Sequence, residues 1–209
     1  MSAGRGGLPE RLVLATGNAG KLRELREILA PWNVDVRPQS EFTGDNAEET
    51  GLSFVENAIL KARFAAGASG WPAIADDSGL EVDALSGAPG IHSARYAGPT
   101  ASDADNNLKL LAELDALPPA RRGARYRCAM VFLRWPLDAS PLIVQANWEG
   151  RILRAPAGAQ GFGYDPLFEV PGTGRSAAQL EPAEKNRISH RGKALRTLVL
   201  ALHGSQADA

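Results

Sequence analysis

The apolar positions change their spacing along the chain, and each change marks an element. Arg11-Leu12-Val13-Leu14-Ala15 is a short apolar run that predicts a buried strand. Thr16-Gly17-Asn18-Ala19-Gly20 follows as a tight turn. Leu22, Leu25, Ile28 and Leu29 then recur at helical spacing until Pro31 stops them. Val34-Asp35-Val36 predicts a second strand, and the acid-rich stretch 38–51 a loop. Ser53 and Glu56 stand at capping-box spacing. The helix they open carries Val55, Ala58, Ile59, Ala62, Ala65 and Ala66 on one face, with Gly67 and Gly70 as its end.

Ala73-Ile74-Ala75 predicts a third strand that ends in the acidic turn Asp76-Asp77-Ser78-Gly79, after which Leu80-Glu81-Val82 is extended. A Gly/Pro-rich loop runs through Gly98, and a helix covers about Asp103 to Leu114. Arg125–Trp135 and Pro141–Trp148 read as paired strands joined by a turn over 136–140. Gly158 to Asp165 is a glycine-rich loop, and a last helix begins near His190 with Leu195, Leu198, Val199 and Leu202 on one face. Alternating strands and helices followed by a hairpin predict an α/β fold, a mixed central β-sheet flanked by helices.

Composition narrows the classes. A chain of 209 residues suits one large domain or two lobes sharing a core. Lys and Arg total 23 against 24 Asp and Glu, so no global field gathers polyanions, and a nucleic-acid partner is not expected. The single cysteine, Cys128, rules out an intramolecular disulfide and a multi-cysteine zinc site, and its apolar neighbours predict a buried thiol. No apolar run approaches the ~20 residues of a membrane helix. Met1 to Glu10 lacks the apolar core of a secretory signal and reads as a flexible tail. The expected location is a reducing cytoplasm.

Five segments carry candidate chemistry. Thr16, Gly17, Asn18, Ala19, Gly20 and Lys21 lie between a strand and a helix, where backbone N–H groups and a lysine suit phosphate. An ordinary strand–helix turn explains them equally well, because Ala15 and Leu22 occupy places where a Walker A loop needs Gly and Ser/Thr. Asp76 and Asp77, with Ser78 beside them, fall at a strand's C-terminal end, where open α/β sheets bind ligands. Adjacent carboxylates repel unless a cation offsets them, and Mg²⁺ suits such hard oxygens. The alternative is a solvated turn with Gly79 at positive φ. Glu48 and Glu49 could complete a metal site, although acids near a helix N-terminus need no ligand to explain them.

The fourth segment is Gly161-Phe162-Gly163-Tyr164-Asp165, where an aromatic between glycines could stack on a base and Asp165 read a base edge. Aromatic residues in such loops usually cap a core. The fifth, Glu184 to Lys193, holds Lys185, Arg187, Arg191, Lys193 and His190 at the expected start of a helix. Cations there oppose the helix dipole, which hints at an anionic partner against the plainer reading of a solvated charge run.

Taken together and in order, Thr16–Lys21, Glu48–Gly51 with Phe54–Ala58, Ala75–Gly79, Gly87–Gly90 with Ser93–Tyr96, Gly161–Pro166 and Lys185–Gly192 resemble the Ham1-like noncanonical purine nucleotide pyrophosphatases over nearly the whole chain. The resemblance implies one domain over 11–205, with two lobes and an active-site cleft between them. It implies Mg²⁺-dependent cleavage of ITP, dITP and XTP to the monophosphate and pyrophosphate by a cytosolic homodimer. It also implies roles. Thr16 to Lys21 would grip the triphosphate, Asp77 would be general base and metal ligand, and Glu49, with its neighbour Glu48, would help hold the metal. Ser78 would touch the substrate, Phe162 would stack on the purine with Gly163, Tyr164 and Asp165 beside it, and Lys185, His190 and Arg191 would contact base and phosphates. Asp76 receives no role. The apolar stretch Met130 to Trp135 is a candidate dimer surface.

Overall fold

Strand alternation organises the fold, which is a computed structural model describing residues 9–204. The first eight residues, most of the expected tail, lie outside the described residues. The elements are β1 (Arg11–Leu14), α1 (Ala19–Leu29), β2 (Asp35–Pro38), α2 (Phe54–Ser69), β3 (Ala73–Val82) and α3 (Asp103–Leu114). They are followed by β4 (Gly123–Leu133), β5 (Leu142–Ile152), β6 (Phe168–Glu169), α4 (Pro182–Ile188) and α5 (His190–Gly204). The six strands lie in the order β2-β1-β3-β4-β5-β6. β1 is parallel to β2 and to β3, whereas β6 is antiparallel to β5, so the sheet is mixed as expected.

The chain divides into two compact units. Unit 1 comprises residues up to Asp77, Cys128–Ala146 and Arg191 onward; unit 2 comprises Ser78–Arg127 and Asn147–His190. In unit 1, side chains of successive strand residues point to opposite faces. Leu12, Leu14, Ile74, Cys128, Met130 and Phe132 join Leu25 and Leu29 of α1 and Leu195, Leu198 and Val199 of α5 in one core. The alternate residues Val13, Ala15, Ala73, Ala75, Ala129, Val131 and Leu133 pack against the alanine face of α2. The Cys128 thiol is buried as expected. Met130 to Leu133 are core, so the stretch expected as a dimer surface keeps only Arg134 and Trp135 exposed. In unit 2, Leu110 and Leu114 of α3 pack with Leu80, Val82, Tyr126, Trp148, Ile152 and Phe168.

Several boundaries differ from expectation. Gly67 lies inside α2, and the helix ends where Gly70 takes up a left-handed conformation (φ 67°). At its start the Ser53 hydroxyl accepts the Glu56 N–H and donates to the Glu56 carboxylate, which also accepts the Leu52 N–H. β5 continues past Trp148 to Ile152. The charge run 184–193 begins no single helix: α4 ends at Ile188, Ser189 is extended, and α5 begins at His190.

The largest correction concerns the acids. Asp76 to Gly79 form no turn but the middle of the ten-residue strand β3. Gly79 is not among the residues at positive φ.

Candidate active site

Because β3 runs straight through them, Asp76 and Asp77 point to opposite faces and do not compete for one cation. Asp76 shares the face of Ile74, toward α1 and α5. There its Oδ2 accepts from Lys21 Nζ at 2.9 Å and from Arg191 Nε at 3.2 Å. Arg191 also donates to Glu24 at 3.1 Å. Asp77 shares the face of Ala75, toward α2, where Lys61 Nζ lies 2.6 Å from its Oδ1 and 3.2 Å from Glu49. Each acid is therefore answered by a lysine from the helix on its own side.

Burial sets the electrostatics. Burial pushes the Asp76 carboxyl up, but Lys21, Arg191 and Lys61 outweigh it and hold it well below the usual carboxylate range. Burial lowers Lys21 against the pull of Asp76. For Asp77 burial prevails and raises the carboxyl, although Lys61 draws it down. Lys61 is raised, because the attraction of Asp77 and Asp76 exceeds the effect of its burial. A carboxylate whose proton affinity is raised in a half-enclosed polar site has the property a general base needs.

The expected phosphate segment sits at the start of α1. Gly17, Asn18 and Ala19 are exposed, and Thr16 and Gly20 are half-buried. Asn18 caps the helix by accepting the Lys21 N–H at 3.0 Å, and Thr16 Oγ1 accepts the Asn18 N–H. Ser78 follows Asp77 in β3 and is half-buried. Glu49 is presented by a loop tied to α2, where the buried Asn57 side chain accepts the Gly51 N–H at 2.9 Å. Glu48 is exposed. Among the described residues no three acidic, histidine or cysteine side chains converge as metal ligands. Two carboxylates do converge, on an ammonium. That donor set fits Mg²⁺, which takes one or two protein carboxylates and fills its other positions with water and substrate phosphate.

In unit 2 the glycine loop is held from several sides. The Asp165 carboxylate accepts the Phe162 N–H at 2.9 Å and Lys185 Nζ at 2.8 Å, with the Tyr126 hydroxyl at 3.4 Å. It is buried, and these partners are the protein's own rather than a base edge. Lys185 Nζ also lies 4.9 Å from the centre of the Phe162 ring. The Tyr164 ring is core, and its hydroxyl donates to the Ser93 carbonyl at 2.8 Å. The His190 ring stacks on Tyr126 at 4.7 Å and 9°. Lys61 and Tyr126 escaped the sequence reading, and Asn57 entered it only within the segment Phe54–Ala58, without a role. Only Lys61 left a signal, a lysine one residue before the Ala62 of the apolar face of α2.

Buried charge of this density, balanced by pairing between distant chain segments, is the organisation of an enzyme site in an α/β fold. The chain belongs to the Ham1 family, whose model matches residues 12–201. It is 58% identical over 194 residues to a dITP/XTP pyrophosphatase of Thioalkalivibrio sulfidiphilus, covering 93% of this chain and 99% of that protein. It is 55% identical over 193 residues to the dITP/XTP pyrophosphatase of Escherichia coli O157:H7, covering 92% and 98%. Among solved structures, a HAM1 protein from Coxiella burnetii superposes with a TM-score of 0.84 at 49% identity, covering 92% of this chain and 98% of that one.

Proposed function

We propose that this chain is a dITP/XTP pyrophosphatase, a hydrolase that cleaves deaminated purine nucleoside triphosphates to the monophosphate and pyrophosphate. The observation that carries the chemistry is Asp77, buried, raised in proton affinity and bridged to Glu49 by Lys61. The near full-length identity to enzymes of that name supports the substrate class.

In this reading Asp77 accepts a proton from a water whose oxygen bonds to the α-phosphorus. The bond from that phosphorus to the bridging oxygen breaks, and pyrophosphate leaves with the electron pair. Mg²⁺, held by Asp77 and Glu49 with Glu48 as a further candidate, would neutralise charge on the phosphate oxygens. Lys61 keeps the two carboxylates together. Thr16 to Lys21 and Ser78 bind the triphosphate, Phe162 stacks on the purine, and Gly163, Tyr164 and Asp165 shape its surroundings. Lys185, His190 and Arg191 contact base and phosphates. Selection of a 6-oxo purine rests on donors that an adenine amino group would leave unpaired. A homodimer in the cytoplasm completes the proposal. Among the described residues no helix is long and apolar enough to cross a membrane.

The test is product identification with ITP, XTP, dUTP and methyl-UTP, with Mg²⁺ and with chelator. Pyrophosphate from ITP and XTP, dependent on Mg²⁺ and abolished in Asp77→Asn with nucleotide binding kept, is the expected outcome. Orthophosphate as product, preference for a pyrimidine, or turnover retained by Asp77→Asn overturns it.

A further inference from the structure

Gly163 stands between Phe162 and Tyr164 with φ at +62°, a left-handed conformation that glycine adopts without the strain of a side chain. Both polar groups of its backbone are taken by one helix. Its N–H donates to Asp103 Oδ2 at 2.6 Å, and its carbonyl accepts from Asn107 Nδ2 at 2.9 Å. The two side chains are four residues apart, so they share a face of α3.

That helix is itself fixed. Ser102 and Asp105 form a reciprocal capping box at its start, and Asn106, next to Asn107, accepts the Ala97 N–H and donates to the Ala94 carbonyl. Leu110 and Leu114 anchor its inner side in the core. A rigid helix thus holds both peptide units that flank Gly163, the one after Phe162 through its N–H and the next through its carbonyl. The peptide before Phe162 is gripped by Asp165 through the Phe162 N–H.

We propose that Asp103 and Asn107 are positioning residues for purine recognition, acting through the Gly163 backbone to hold the Phe162 ring at the pitch the base requires. This rests on Phe162 being the stacking platform of the proposed function. Holding both peptide units on either side of Gly163 fixes the rotation of the chain there as well as its place, which one hydrogen bond cannot do. A platform that swings freely must be ordered each time a base binds, and that cost appears as weaker binding.

The test uses the full chain and reads inosine monophosphate binding, pyrophosphate binding and steady-state ITP turnover. Asp103→Ala and Asn107→Ala each weaken inosine monophosphate binding and raise the ITP KM about tenfold, the equivalent of one hydrogen bond. Pyrophosphate binding and kcat stay within about twofold, because the phosphate end is untouched. Asp103→Asn, which keeps an acceptor oxygen, restores most of the affinity. In a Phe162→Ala background, Asp103→Ala adds nothing further, since the ring through which it acts is gone.

Additive effects in that background, or a fall in kcat equal to the rise in KM, overturn the positioning role. A wild-type chain that neither binds inosine monophosphate nor hydrolyses ITP overturns the proposed function instead. If an alanine variant is too unstable to assay, Asp103→Asn and the same cycle at Asn107→Ser carry the test.

Discussion

Replacing Asp76 by asparagine removes one negative charge and leaves two buried cations facing a neutral amide. Lys21 and Arg191 both converge on Asp76 Oδ2, whose side chain is 1% exposed. Breaking a buried ion pair by deleting one partner costs about 3–5 kcal/mol. Two details place Asp76→Asn at the lower end of that range. Arg191 keeps Glu24 at 3.1 Å, and Lys21, already lowered by burial, can shed its proton. Arg191 cannot. The expected loss is therefore about 3 kcal/mol, and at roughly 2–4 °C per kcal/mol for a chain of this size Tm falls by about 6–12 °C. The pH dependence has a definite sign. The folded carboxyl lies well below its ordinary value, so its contribution is complete above the unfolded pKa of ~3.9 and drains as pH falls further. Thermal unfolding followed by calorimetry should show the full gap at neutral pH and a gap that narrows progressively once pH falls below about 4. A neutral-pH Tm within about 2 °C of wild type would refute the view that Asp76 is the electrostatic centre of unit 1.

Lys61→Met removes the ammonium that draws Asp77 down, so a carboxyl already raised by burial rises further. Because the base must be deprotonated, the acid limb of the pH profile of kcat/KM for ITP moves to higher pH; an unmoved limb counts against Asp77 as base. Arg122 is buried and donates to the carbonyls of Leu114 (2.6 Å), Ile152 (2.9 Å) and Leu153 (2.8 Å). Arg122→Met leaves all three without that donor and lowers urea stability by about 2–4 kcal/mol, and Arg122→Lys recovers little because one ammonium cannot replace the fork. At Gly161, φ is +79° and an added Cβ collides with the Asp165 carboxylate. Gly161→Ala therefore displaces the hold on Phe162 and raises the KM for ITP about tenfold in a turnover assay.

What the sequence disclosed depended on the distance over which each decision is made. The run Leu12-Val13-Leu14, the helical spacing from Leu22 to Leu29 and the Ser53 cap are local, and each formed close to where its pattern lay. Asp76-Asp77 misled because Gly79 looked like turn punctuation; the continuous strand is stabilised by its neighbours in the sheet, which local pattern does not show. Once the strand is known, period-2 alternation separates the two acids at once. Their partners could still not be assigned, since Lys21 is 55 residues from Asp76 and Arg191 is 115 away. β6 has two residues and no period to read, and the charges around Ser189 concealed the break between α4 and α5.

Unit 1 is assembled from three separate stretches of chain, and unit 2 from two that both precede Arg191. Synthesis runs from the N-terminus, so the order in which the parts exist is set by this threading. A growing chain holds β1, α1, α2 and Asp76 early, with Lys21 and Lys61 but not Arg191 to answer that acid. Every residue of unit 2 has been made before Arg191 and α5 follow. The unit that begins the chain is thus the last to be completed, and a ribosome stalled before residue 191 has joined every residue of the second unit while the first still lacks its final helix.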